Sequence, residues 1–161
     1  MPVQTSYSTT HNPAYAGMPA DLQLCNMVSK LNASGDVIPY GKGVVSDGEN
    51  AAQLPDASST ANEFAGVAMY ELNRAQFDGA MDGAVNGYDF TSITVGPVWV
   101  IAAATVVKDD PVFLRVGATQ NGDFSNAAGT GATLSVQIPN AKFLSGGNAG
   151  DLVKISLGVG G

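Results

Sequence analysis

At 161 residues with 45% hydrophobic side chains, the chain is long enough to bury one sizeable core and too apolar to be disordered by composition. Its formal net charge is −7, and its seven basic residues (Lys30, Lys42, Arg74, Lys108, Arg115, Lys142, Lys154) stand singly, so no basic stripe can neutralise a nucleic-acid backbone or hold an anionic membrane. One cysteine, Cys25, excludes an intramolecular disulfide and a multi-cysteine zinc site.

Charged residues make up only 13%, about half the usual globular share. With 20 Gly and 8 Pro, this points to many turns and a surface of Ser, Thr, Asn and Ala, part of it suited to being covered by a partner.

Residues 1–20 contain no Asp, Glu, Lys or Arg. They show neither a helical nor a strand period, and they carry three prolines and the spaced aromatics Tyr7 and Tyr15. This is read as an extended N-terminal arm, followed by a single β domain over 21–161. The segment lacks a basic region followed by an apolar one, so it is not read as a secretory leader. Tyr7, His11, Pro13, Tyr15 and Met18 are the candidate contacts with a partner or a neighbouring subunit.

From residue 22 the pattern is β. Short apolar runs recur: LQLCNMV (22–28), KGVV (42–45), FAGVAMYEL (64–72), YDFTSITV (88–95), VWVIAAATVV (98–107), PVFLRV (111–116), TLSVQIP (133–139) and DLVKISLG (151–158). In YDFTSITV, Tyr88, Phe90, Ser92 and Thr94 alternate with Asp89, Thr91, Ile93 and Val95, a period of two. In PVFLRV, Val112, Leu114 and Val116 share one face, and Phe113 and Arg115 share the other. Turn signals separate the runs at Asn32–Gly35, Asp109-Asp110-Pro111, Asn121-Gly122 and Gly146-Gly147-Asn148. The expected fold class is all-β, a jelly-roll-like sandwich or small β-barrel with an extended N-terminal arm. The longest strongly apolar run, 95–107, is too short for a membrane helix and is interrupted by Gly96-Pro97, so a protein of the aqueous phase is expected.

Several stretches imitate chemical sites. GDVIPYGKGVVSD (35–47) has the look of a phosphate loop. Yet five residues separate Gly35 from Gly41, Gly43 follows Lys42, Pro39 removes a backbone N–H, and no helix follows. A bend between strands is expected. GTGAT (129–133) has Leu134 where a dinucleotide loop needs its third Gly, and is read as a turn. DGAMDGAVNGYD (78–89) lacks the alternate oxygens and closing Glu of a calcium loop and is read as a glycine-rich connection. Cys25 is expected in a strand as a small buried hydrophobe, and Trp99 in the core or a subunit interface. His11, the one histidine, lies in the arm, so a Ser-His-Asp or Cys-His constellation would have to recruit it from there. No catalytic, cofactor-binding or metal-ligating residues are assigned, and no enzyme activity or cofactor is expected.

The order of GDVIPYGKGVVSD (35–47), EFAGVAMYELN (63–73), VGPVWVIAAATVVKDDPVFLRVGATQNGDF (95–124) and IPNAKFLSGGNAGDLVKISL (138–157) resembles the structural cement proteins of tailed bacteriophages, the small capsid decoration proteins. That family's pattern is a Gly-Ile-Pro-Gly lead-in to a strand, a Gly-Val-Ala strand, and a Gly-x-Val-Trp-Val strand followed by an Asp-Pro-Val turn and strand. An Ile-Pro segment ending in Ala-Gly and a closing strand complete it. The resemblance covers roughly residues 20–158 and least securely the arm and the 78–89 loop. It implies a non-enzymatic protein on the outer surface of the expanded head, bridging capsomers as a dimer or trimer, with the major capsid protein as partner and with no nucleic acid or membrane involved. It would be made in the bacterial host cytoplasm and end in the virion. The alternative is a ligand- or receptor-binding β module, such as a carbohydrate-binding domain or fibre head.

Overall fold

The structure is a computed structural model and describes residues 14–71 and 83–158. Its strands are β1 (Asn26–Asn32), β2 (Ile38–Pro39), β3 (Gly43–Asp47), β4 (Ala51–Gln53), β5 (Phe64–Ala68), β6 (Gly83–Ala84), β7 (Asp89–Ile101), β8 (Pro111–Arg115), β9 (Phe124–Ser125), β10 (Ser135–Phe143) and β11 (Leu152–Leu157). The described residues are nearly all β, with 47% of them in strands and 4% in helix.

The strands run β1-β4-β3-β5-β7, and β1 also pairs with β7, so these five close into a small barrel. From β7 the sheet continues outward through β11, β10, β8 and β9. The small barrel is thus the architecture adopted. β7 belongs to both parts. Its first half pairs with β1 and β5 (Met27↔Ile93, Val67↔Ile93), and its second half pairs with β11 from Leu157↔Gly96 to Leu152↔Ile101.

The buried side chains fall into two cores. Val44, Ala52, Ala65, Ala68, Phe90 and Ile38 form one cluster, rich in small residues as a narrow barrel demands. Their strand neighbours Val45, Val67 and Ile93 face the other way, against Val98, Val100, Leu114, Phe124, Phe143, Val153 and Ile155. This second cluster carries the larger side chains, and burying each contributes about 1.5–3 kcal/mol.

Three strand expectations shift. The runs 88–95 and 98–107 are one continuous strand to Ile101, not two. Gly96, at φ 118, lets the strand bend, and Pro97 contributes its carbonyl to the Ala20 N–H, so its missing donor costs nothing there. The first run does not pair from Leu22; the strand starts at Asn26. Cys25 precedes it and is half-buried, because it packs against Gly96: a Cβ there would lie 2.6 Å from Cys25 Sγ. Arg115 is buried along with the Leu114 face, at 9% exposure.

Candidate interaction surface

Residues 14–20 reach the barrel along β7. Gly17 N–H donates to Trp99 O (2.7 Å), Trp99 N–H to Met18 O (2.9 Å) and Ala20 N–H to Pro97 O (2.9 Å). Since β11 occupies one edge of β7 here, this segment covers the other. It is also tied to the residues just after β5, where Tyr70 N–H donates to Gly17 O (3.0 Å), and β5 is in turn bonded to the turn after β2 by Gly41 N–H to Ala68 O (2.8 Å).

The aromatic rings form a stair from core to surface. Tyr40 is buried; Tyr70 meets it edge-on at 5.3 Å; Tyr15 stacks on Tyr70 at 5.3 Å with an 11° interplanar angle. Tyr15 stays 56% exposed. Met18 closes the turn, its N–H donating to Tyr15 O (3.2 Å) and its Sδ accepting from Tyr15 N–H (3.3 Å). Of the predicted contact residues, these two therefore lie together, fixed on the barrel wall. Tyr7, His11 and Pro13 lie outside the described residues.

The Gly35–Asp47 stretch forms a bend with the short strand β2 leading into β3, as its spacing suggests. Its lysine is engaged by protein: Lys42 Nζ lies 2.7 Å from Asp123 Oδ1. Burial pushes the Asp123 carboxyl above its ordinary range, against the opposing pull of Lys42 and of Arg115. Beside it Arg115 donates to Ala103 O (3.4 Å), and Asn121 donates to Pro55 O. This cluster joins the barrel to the β8–β9 hairpin. Trp99 is half-buried rather than in the core, with Lys154 Nζ 5.5 Å from its ring centroid. Before β5, residues Ala61–Glu63 form a single 3-10 turn.

Sequence reading missed the most exposed apolar surface among the described residues. Leu22 and Leu24 stand almost fully in solvent, followed on β1 by Met27, Val28 and Leu31. The signal was present in the LQLCNMV run, but apolar alternation does not say whether its partner lies in the same chain.

A family model for the structural cement protein of phages (E217 gp24/Pam3 gp6) matches residues 3–158. The chain belongs to this family. The match takes in most of the arm as well as the barrel. Among solved structures, this cement protein is similar to a chain from "The capsid of Myoviridae Phage XM1", with TM-score 0.72, 20% identity and 97% of each chain covered. At that identity the likeness concerns the fold. A weaker similarity links it to the head fiber gp8.5 N base of bacteriophage phi29 (TM-score 0.42, 12% identity, 84% of this chain and 95% of that one). No curated protein matches.

Proposed function

We propose that this cement protein is a non-enzymatic capsid decoration protein that binds the outer surface of the expanded head and bridges neighbouring capsomers as a dimer or trimer. The observation that carries the reading is the family match from residue 3 to residue 158, which includes the arm. The arm's foot supports it. Residues 14–20, themselves without charge, are held on β7 by main-chain hydrogen bonds and by a stacked Tyr15. Tyr7, His11, Pro13, Tyr15 and Met18 are the proposed contacts with the major capsid protein or a neighbouring copy. Such a segment can add to a sheet edge on the capsid, where main-chain hydrogen bonds give affinity. A net charge of −7 suits a site outside the shell, away from packaged DNA.

The test is co-sedimentation of the purified protein with expanded heads that lack it. Binding that saturates at a fixed ratio to the capsid protein, with heads then more resistant to heat, is expected. A variant lacking residues 1–13 should stay folded and bind weakly. The cut falls before Ala14 because removal to residue 20 would also strip β7 of its bonds at Pro97 and Trp99. Absence of binding by the full chain to any form of the shell would reject the capsid role.

A further inference from the structure

β1 is the least covered strand of the barrel. Among the described residues, one edge is bonded to β7 from Asn26 to Leu31, and the other meets β4 only at Leu31 and Asn32. Met27 is 46% exposed and its neighbour Val28 43% exposed, although they point to opposite faces. The strand is therefore open on both faces and along one edge, and Leu22 and Leu24 extend the apolar surface. By contrast β3 and β5 bury Val44, Val45, Val67 and Ala68. Natural proteins usually blunt such an edge with charge, proline or a covering element. Here residues 22–29 carry no charged side chain at all, in a chain with net charge −7.

We propose that the free edge of β1 is a two-fold interface with a second copy of this chain, paired antiparallel about Val28. The hydrogen-bond directions fix the register. Leu31 N–H donates outward to Asn50 O, whereas Asn32 N–H donates to Tyr88 O on the β7 side. Main-chain groups alternate between edges along a strand, so those of Met27 and Ser29 aim at the free edge. A two-fold axis at Val28 sets Met27 opposite Ser29 of the second copy, each such pair exchanging both N–H···O bonds, and sets Val28 against Val28 as a non-hydrogen-bonded pair. Lys30 then faces Asn26, and the two Lys30 residues stand four positions out of register, on the order of 14 Å apart along the strand, beyond the Debye length of about 8 Å. No like charges meet. This charge-free stretch is the part of an acidic molecule where two copies approach with least repulsion, and the edge is complementary to itself in bonds and in apolar side chains. The inference deepens the reading of the protein as an oligomer and does not depend on capsid binding.

The experiment uses the purified full chain without heads. Light scattering should give the wild type an even-numbered mass, at least a dimer, and Val28→Lys half that mass with unchanged circular dichroism. In a Cys25→Ser background, Val28→Cys should form a disulfide-linked dimer under mild oxidation. Non-hydrogen-bonded pairs place their Cα atoms about 4.5 Å apart, within the disulfide range of roughly 4.4–6.8 Å. Met27→Cys in the same background should cross-link far more slowly. A monomeric wild type at every concentration, a Val28→Lys variant of wild-type mass, or equal cross-linking at 27 and 28 would each overturn the interface. Head binding is scored separately on the same variants. A Val28→Lys monomer that still binds heads supports the interface and leaves the cement role standing. A variant of wild-type mass that no longer binds heads reassigns the edge to the capsid and overturns the proposal.

Discussion

Gly17 and Gly41 pack backbone against backbone: a Cβ on Gly17 would stand 2.9 Å from Gly41 N, and a Cβ on Gly41 would stand 2.9 Å from Gly17 N. Both have positive φ, 87° and 81°. This contact is where the chain, arriving from the arm, is locked between the turn after β2 and the end of β5. It adds a second attachment beside the bonds of Gly17 and Met18 to Trp99 on β7.

Replacing Gly41 by Ala should therefore do more than strain one residue. The new Cβ would also meet Ala16 Cβ at 2.5 Å. A loss of about 2–4 kcal/mol is expected, from the left-handed φ together with forced separation of two backbones. Gly35→Ala supplies the control: φ there is 82°, but nothing lies within 4 Å of the added carbon. It should cost only about 1–2 kcal/mol. Chemical denaturation of the two variants reads the difference, and equal losses would mean that the Gly17–Gly41 contact contributes nothing.

Asn32 pins the barrel's rim. It is 1% exposed, and its amide donates to Asp36 O (2.9 Å) and Ala84 O (2.8 Å) while its Oδ1 accepts from Ser34 N–H (2.9 Å) and Ser34 Oγ (2.7 Å). Asn32→Asp keeps the shape and the acceptor but removes both donors and buries a charge against two carbonyls. About 2–4 kcal/mol of stability should be lost at neutral pH. Part of it should return in acid, where the protonated carboxyl can donate again. A thermal melt series against pH would show both effects.

Much of this architecture was legible because strand periodicity is local. KGVV, PVFLRV and DLVKISLG lie close to β3, β8 and β11, and GDVIPYGKG is a bend whose lysine answers Asp123 rather than a phosphate. What escaped depends on distant partners. Gly96-Pro97 interrupts a sequence pattern but not β7, since the residues that tolerate it, Cys25 and Ala20, lie some seventy positions earlier. Arg115 alternates onto the opposite face from Leu114, yet folding of the 120–123 turn and Lys42 encloses it beside Asp123. Tyr15 and Met18 were legible as contact candidates only by type; their joint position comes from hydrogen bonds to Trp99 and stacking on Tyr70.

Tyr15 separates binding from folding. Its ring lies on Tyr70 but is more than half exposed, so Tyr15→Ala should cost no more than about 1 kcal/mol of stability. If the ring is a capsid contact, head affinity should fall at least roughly tenfold, as for an aromatic anchor of an interface. Titration of heads with the variant decides. Unchanged affinity would remove Tyr15 from the contact set and leave it as a brace for Tyr70.

Asp123 gives the acid response a specific sign. Burial raises its carboxyl above the ordinary value, more than the Lys42 hydrogen bond and the charges of Lys42 and Arg115 lower it. The folded chain therefore holds a proton there at a pH where the unfolded chain has released it. The stability contributed by the protonated group is fully present below the unfolded carboxylate pKa of about 3.9, and is lost as pH rises through the higher folded value. Asp123→Asn removes this titration while most other acidic groups stay as they were. The stability difference, wild type minus variant, should therefore grow in favour of the wild type as pH falls from 7 towards 4. A difference that is flat, or that shrinks on acidification, would mean that Lys42 and Arg115 outweigh burial and hold Asp123 ionised in the folded chain.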